Sequence, residues 1–460
     1  MLPPRLLALF AAPALFLGGC QTISALGDHT AATLGLADDV PATYTASEES
    51  RPVRSGIAVS DEPLAARAGA AALAAQGDAV DAVTTMFFAM TATYPVAAGL
   101  GGGGICLVRD ASGQVTEFDF LARSPRGGGA YAVPGVVRGF ADMQKAFGAL
   151  PWQRVVAPGE AYAATGFPIS QALSVRLGEA QNVIRLDASL AAEFLDESGQ
   201  PRAAGGEARN AALGQTLSQI RLNGADGFYK GAVAQRIAAY TAAQGGAVSA
   251  EDMAATVSRR SAARVRNAGG LTTYIPGAGT GAGLFAGTLL DNLMRQRNVA
   301  AAAGQALGTF GVTSLPRDMG STGFAAVDAN GQAASCAVTL NGPFGSGRTA
   351  GDTGVQLAAN PAAGQAGLAA AFLVPVIAIN GNDVALAGAG AGGPNGAAAA
   401  LNAVVQTAGG RQPGRRGDVA GTGAAPFDTV NMISCNSESC VALTDPGAHG
   451  MGAVAEAATN

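Results

Sequence analysis

Gly320-Ser321-Thr322 stands directly before a run, Ser321 to Asp328, that reads as a strand, and a second run follows from Gln332 to Leu340 after the turn Ala329-Asn330-Gly331. Thr339 and Asn341 are two apart at the end of that second run. Side chains two apart on a strand share a face, so the hairpin can aim a hydroxyl and a carboxamide at the start of its first arm. The same residues also suit a polar strand end before a turn, with no chemistry attached. A nucleophilic hydroxyl needs a base, and histidine is scarce: the chain has only His29 and His449. Zinc sites built on several histidines cannot be assembled from these, and a Ser-His-Asp triad would depend on one of the two. If the chain is an enzyme, its base is not histidine. Cys106 and Cys336 lie in apolar runs with no histidine nearby; they read as buried small side chains rather than as nucleophiles. The Gly101–Gly104 run is not followed by Gly-Lys-Ser/Thr and is no phosphate loop. Gly388 to Gly396 reads as a loop of little side-chain bulk.

The elements that must position these groups sit in a chain of 460 residues, 48% hydrophobic and only 13% charged, against a usual charged share of about 25%. That is too apolar for a disordered chain. The net charge of −5, from 28 basic and 33 acidic residues, argues against a nucleic-acid or anionic-membrane partner. Glycine is abundant at 66 residues but has no three-residue period, which excludes collagen.

Arg5 precedes the apolar run Leu6–Leu17, which is short for a membrane span and suits a signal-peptide core. It ends in Leu17-Gly18-Gly19-Cys20-Gln21, which resembles a bacterial lipobox, with an ordinary signal peptide as the alternative. Residues 1–19 then read as a lipoprotein signal peptide and 20–52 as a tether lipidated at Cys20, anchoring a periplasm-facing domain to the cell envelope. Gln21 resembles an outer-membrane sorting residue. In such a compartment Cys435-Asn-Ser-Glu-Ser-Cys440 suits a disulfide-closed hairpin, two free thiols being the alternative.

A helical pattern begins at Asp61, which can cap it, with Glu62-Pro63 in the first turn. Ala79 to Thr93 is apolar all round and is expected to be a buried helix. Ile105–Val108 and Gln114–Phe120 read as a strand pair, residues 150–252 as a helical middle, Leu271–Pro276 as a strand, and Leu284–Met294 as a helix. Val299 to Asp318 is poor in signals and reads as a surface segment. Val374–Ile379 and Asp383–Ala387 form a further hairpin about Asn380-Gly381. The pattern suggests stacked sheets covered by helices.

Ser321-Thr-Gly-Phe-Ala-Ala-Val-Asp328, Thr339-Leu-Asn341 and Phe344-Gly-Ser-Gly347 resemble the nucleophile region of the γ-glutamyltransferase (glutathione hydrolase) family. Gly77-Asp-Ala-Val-Asp-Ala82, Gly101–Gly104, Ala132-Val-Pro-Gly135, Leu150-Pro-Trp152, Gly166-Phe-Pro-Ile-Ser170, Gly227-Phe-Tyr-Lys-Gly231, Gly392-Gly393 and Asp445-Pro446 follow the family's order. The resemblance implies an α+β, four-layer αββα N-terminal-nucleophile sandwich. It also implies self-cleavage between Gly320 and Ser321 into a large-subunit-like region, 53–320, and a small-subunit-like region, 321–460, which stay associated as one domain. The freed Ser321 amine would be the base; a free α-amine has a pKa of about 7.7–8.0. Thr339 would hold the hydroxyl and Asn341 would donate to the nucleophile or its amine region. Gly392 and Gly393 would supply oxyanion-hole N–H groups. The substrate would be a small acyl or γ-glutamyl-type molecule, and no metal or organic cofactor is implied.

Against that family, serine replaces the usual threonine nucleophile, and Gly323 stands where a histidine is usual. The arginine that grips the glutamyl α-carboxylate falls on Leu121, for which Arg123 or Arg126 would have to stand in; the paired serines fall near Ala371 and Phe372; the amino-end group falls on Asn360 and about Ala363. Two readings follow: an active self-processing acyl hydrolase or transferase with a changed acyl substrate, or a catalytically degenerate binding or structural lipoprotein.

Overall fold

The structure is a computed structural model that describes residues 51–52, 56–296, 298–312, 315–411, 428–436, 439–444 and 448–455. The apolar run 6–17, Cys20, His29 and Asp445-Pro446 lie outside the described residues.

Two antiparallel seven-stranded sheets form the centre. The first runs, edge to edge, Met451–Val454, Ile57–Ser60, Ser321–Val327, Ala333–Thr339, Gly103–Arg109, Val115–Asp119 and Arg259–Ala262. The second runs Arg51–Pro52, Ser439–Thr444, Thr429–Cys435, Asp383–Ala391, Val374–Asn380, Leu271–Ile275 and Arg264–Ala268. Alternate residues of each sheet, among them Val59, Leu107, Ala325 and Val327 facing Ile377, Ala387 and Ile433, fill the space between them. Helices cover both outer faces, so the architecture is the four-layer αββα sandwich.

On the outer face of the first sheet lies the helix Ala79–Thr93, every residue of which is buried. Asp78 caps it, and Asp81 returns a hydrogen bond to the Asp78 backbone. Phe87 stacks on Phe140 at 4.4 Å between ring centroids, and Phe140 in turn lies 6.3 Å from the ring of Phe324 on the strand Ser321–Val327. Each such buried ring contributes about 1.5–3 kcal/mol of burial and fixes the strand behind the Ser321 end. On the outer face of the second sheet, Phe285, Leu289 and Leu290 of the helix Gly281–Arg295 and Leu401 and Val404 of Pro394–Ala408 pack on Val374, Val376, Leu386 and Met432. The expected helical middle section, 150–252, holds helices that include Trp152–Thr165, Ala211–Asn223 and Gly231–Ala243, and the helix Val136–Phe147 precedes it.

Three local expectations are corrected. Asp61 does not cap the helix Pro63–Ala74; Glu62 does, its Oε1 accepting from the Leu64 N–H, while Asp61 is turned toward Thr322 and Asn431. The signal-poor segment expected at the surface contains the helix Val299–Gly308, whose Ala302, Ala303 and Ala306 pack into the outer core; a face built of alanine carries little contrast for a sequence pattern to show. Cys106 and Cys336 are buried, as expected of small side chains, but they are bonded to each other. The reason is register: adjacent strands place the two directly opposite. Cys435 and Cys440 are likewise bonded, across the hairpin Thr429–Cys435 and Ser439–Thr444.

Candidate active site

Ser321 opens its strand and pairs with Thr339, which pairs on its other side with Gly103. The Ser321 hydroxyl donates to the Thr339 Oγ1 at 2.9 Å, with the Met319 carbonyl as its other acceptor at 3.2 Å. Thr339 Oγ1 reaches the carbonyls of Met319 at 3.1 Å and Gly320 at 3.0 Å, so it can take the serine proton while donating its own. The Gly320 carbonyl also accepts the Leu340 N–H at 3.0 Å. The carbonyl beside Ser321 therefore has two donors aimed at its oxygen, the arrangement that stabilises a developing oxyanion.

Gly320 permits this turn. Its φ is +57°, and a Cβ there would lie 1.8 Å from the Gly342 carbonyl oxygen, so no other residue fits without displacing backbone. Its N–H donates to Asp318 Oδ1 at 2.8 Å, and both oxygens of Asp318 are held at 2.8 Å by the guanidinium of Arg176, which is fully buried.

Thr322 points to the other face of the sheet. Its hydroxyl donates to Asp61 Oδ2 at 2.6 Å, and Asn431 Nδ2 donates to Asp61 Oδ1 at 2.7 Å and to the Gly323 carbonyl at 2.8 Å. Burial raises the Asp61 carboxyl above its usual range, opposed by the hydrogen bonds from Thr322 and Asn431. Beside it, burial lifts Glu62 to about 8, although Ser170 and the Leu64 N–H bond its charged form. The Thr322 hydroxyl is thus committed to Asp61. Asp61, Asn431, Asp318 and Arg176 carry no local motif; the tertiary fold brings them to the residues flanking Ser321, with Arg176 reaching in from the helix Gln171–Glu179.

Asn341 sits here too, but not in the role expected. Its backbone N–H donates to Thr339 Oγ1 at 2.9 Å, while its side-chain amide is committed to the Ala359 carbonyl at 2.9 Å. It positions the threonine rather than contacting Ser321. Gly392 and Gly393 form the turn between the strand Asp383–Ala391 and the helix Pro394–Ala408. That strand crosses the Ser321 strand where a Cβ on Gly323 would lie 2.8 Å from the Ala389 Cβ. No histidine fits at Gly323 without parting the sheets. Gly392 has φ +88°, and a Cβ on Gly393 would lie 2.5 Å from Asp428 Oδ1.

The residues aligned with a glutamyl clamp are apolar or occupied. Leu121 packs with Ala337, Leu373, Ala389 and Ala391 at the Thr339 end of the sheets. Phe372 is fully buried against Phe285 at 4.8 Å between centroids, and Ala371 is buried beside it. Arg123 is half-exposed and paired with Asp119 at 2.6 Å; Arg126 is exposed and paired with Asp252 at 3.0 Å. Asn360 is tied to the 124–129 segment and to its own loop: its Oδ1 accepts from Ser124 and Ala362, and its Nδ2 donates to the Gly129 carbonyl at 2.6 Å.

The family model described as gamma-glutamyltranspeptidase matches residues 65–302, just over half of the chain and ending before Ser321. The glutathione hydrolase proenzyme of Escherichia coli (strain K12) is 29% identical over 278 residues, 55% of this chain and 46% of that protein. The acylase ACY 1 proenzyme of Pseudomonas sp. (strain SE83) is 29% identical over 240 residues, 46% of this chain and 43% of its own length. The chain thus spans about half the length of the curated relatives it matches. Among solved structures, the cephalosporin acylase from Bacillus halodurans superposes with a TM-score of 0.71 over 90% of this chain and 98% of that one, at 17% identity, a likeness of fold.

Proposed function

Because the chain belongs to the gamma-glutamyltranspeptidase family, we propose that it is a self-processing N-terminal-nucleophile acyl hydrolase or transferase whose nucleophile is Ser321. The observation that carries this reading is the Ser321 hydroxyl bonded to Thr339 beside a Gly320 carbonyl that already holds two donors. In the first step Ser321 Oγ attacks the Gly320 carbonyl carbon and its proton passes to Thr339. The oxygen gains negative charge facing Thr339 Oγ1 and the Leu340 N–H. Collapse breaks the Gly320–Ser321 C–N bond, the nitrogen takes a proton, and an ester remains. Water hydrolyses that ester and leaves a free amine on Ser321. In later turnovers the amine accepts the hydroxyl proton as Ser321 attacks an acyl donor, so no histidine is required. Ser321 is fully buried in the uncleaved chain, with the Met319 carbonyl beside its hydroxyl. Cleavage therefore also has to free the space in which a substrate carbonyl sits.

Both curated relatives above are proenzymes by name, which supports self-processing over a purely binding role. The acyl donor proposed is an amide without a glutamyl α-carboxylate, because Leu121, Ala371 and Phe372 occupy that end. The protein is proposed to reach the cell envelope through its N-terminal segment and to be held there by lipid on Cys20; retention of Cys20→Ala in the membrane fraction at unchanged mass would refute this. Intact-mass and N-terminal analysis of the purified protein tests the main reading. Wild type should give a second amino terminus at Ser321 and Ser321→Ala should remain one chain; an intact wild type after long incubation would leave the binding-only reading.

A further inference from the structure

We propose that the Cys106–Cys336 bond is a covalent bridge between the two fragments that cleavage at Gly320–Ser321 creates, so that the processed protein is a single disulfide-linked pair. The proposal rests on the self-processing reading above. The two cysteines are bonded in the structure and lie on either side of the cleavage point, 230 residues apart in sequence. Cys106 belongs to the strand Gly103–Arg109 and Cys336 to Ala333–Thr339, the second arm of the nucleophile hairpin. Their register is fixed by the ladder around them, Ala337 opposite Ile105 and Ser335 opposite Leu107. A one-residue slip would turn Leu107 out of the inter-sheet core, so the sheet that places Ser321 also holds the two sulfurs together.

The bond is deep in the molecule. Phe324, Cys336, Cys106 and Phe118 follow one another across four neighbouring strands, and each is no more than 1% exposed. A reductant in solution cannot reach it while the fold is closed. Among the described residues the other disulfide, Cys435–Cys440, lies wholly on the C-terminal side of Ser321 and cannot join the fragments. Without the bridge, the fragments would meet in the first sheet through three ladders, Met451–Val454 and Ser321–Val327 on the two sides of Ile57–Ser60, and Ala333–Thr339 on Gly103–Arg109. The bridge adds a bond that scission of the Gly320–Ser321 peptide leaves intact. Its formation removes two protons and two electrons from two thiols. The acceptor is a disulfide-bearing oxidant of the thiol-exchange class, itself reduced to a dithiol, as an oxidising compartment supplies.

The test uses the full chain produced in the periplasm of a bacterial host. Free thiols are alkylated, the protein is denatured in detergent, and electrophoresis is run with and without dithiothreitol. Wild type should run as one species without reductant and as two with it. Peptide mapping should find the Cys106 and Cys336 peptides joined, and the joined mass should vanish on reduction. The double variant Cys106→Ala/Cys336→Ala should give two species in both lanes. Two species in both lanes from wild type, or alkylated Cys106 and Cys336 in its map, would overturn the bridge and leave self-processing standing. One species in both lanes removes the self-processing on which the proposal stands, and the proposal with it.

Discussion

Arg176 grips both carboxylate oxygens of Asp318 at 2.8 Å, with its guanidinium 5.7 Å from the ring centroid of Tyr94. The pair is almost entirely out of water: the Arg176 side chain is 1% exposed and that of Asp318 11%. One Asp318 oxygen also accepts the Gly320 N–H at 2.8 Å. A buried ion pair is a weak source of net stability, but it is a strong constraint on geometry once formed. Here the constraint falls on the peptide that precedes Ser321. Arg176 is a positioning residue that acts through Asp318 on the Gly320 backbone.

Asp318→Ala should therefore act twice. It leaves the Arg176 charge buried without its carboxylate, at a cost of about 3–5 kcal/mol of stability, and it frees the Gly320 N–H. Denaturant unfolding of a background that cannot cleave, Ser321→Ala, should read the first effect. The rate at which the small fragment appears in an otherwise wild-type chain should fall as well. The double variant Arg176→Met/Asp318→Ala, which removes both charges, should recover much of the stability but not the cleavage rate. Recovery of both would reduce the pair to a packing element.

Thr339→Val removes the hydroxyl that bonds Ser321 and also one of the two donors to the Gly320 carbonyl. Loss of one oxyanion donor costs about 10²–10³-fold in rate. Cleavage of Thr339→Val, followed by gel over time, should slow by at least that factor, and Thr339→Ser should restore most of it because the hydroxyl returns to the same strand position. Unchanged cleavage in Thr339→Val would remove the threonine from the mechanism.

The strands at 105–108, 114–120, 271–276 and 374–387 and the buried helix Ala79–Thr93 were legible because alternation and an unbroken apolar run are local signals; the strands Ile57–Ser60, Arg259–Ala262, Arg264–Ala268 and Met451–Val454 were not. The hairpin that carries Ser321 was legible for the same reason, and its Asn330-Gly331 turn marked the register. What surrounds it was not. Asp61 next to Glu62-Pro63 reads as a cap, yet the fold needed a carboxylate behind Thr322, and the capping oxygen moved one residue along. The Asp318–Arg176 pair is 142 residues apart, and the Cys106–Cys336 pair depends on the register of strands far apart in the chain. Such contacts follow from topology. Asn341 shows the reverse limit: its spacing from Thr339 is read directly from the sequence, but its left-handed backbone, φ +61°, turns its N–H toward Thr339 while its amide bonds the Ala359 carbonyl.

Glu62 supplies a pH dependence with a definite sign. Its folded pKa, about 8, lies above the ordinary 4.5 because burial disfavours the charged form. The folded chain therefore binds more protons at this site than the unfolded chain between those values. The stability it contributes is full below about pH 4.5 and is lost as pH rises toward 8. Glu62→Gln keeps an acceptor for the Leu64 N–H and a partner for Ser170 while removing the titration. In the Ser321→Ala background, the melting temperature of Glu62→Gln relative to the parent should climb as pH is raised from about 5 to 8. A constant difference across that range would mean that Glu62 ionises normally.

The last expectation concerns the acyl donor. A glutamyl donor brings an α-carboxylate that must be paired when it leaves water; an unpaired buried carboxylate costs several kcal/mol. At the Thr339 end of the sheets the available neighbours are Leu121, Leu373 and Ala391, and Phe372 and Ala371 are buried in the adjoining core. Arg123 already spends its guanidinium on Asp119 and Arg126 on Asp252, so recruiting either would break an existing ion pair. An apolar acyl chain meets no such penalty and gains about 0.8 kcal/mol for each methylene it buries, nearly a fourfold gain in kcat/KM per methylene if the gain is kept in the transition state. Processed protein should therefore turn over an aliphatic acyl anilide with a higher kcat/KM than the γ-glutamyl anilide, and kcat/KM should rise with chain length over the first few carbons. Arg123→Ala should leave both activities close to wild type. Saturable γ-glutamyl turnover that outpaces every aliphatic donor, and that disappears in Arg123→Ala, would instead place the carboxylate clamp on Arg123 and overturn the apolar assignment.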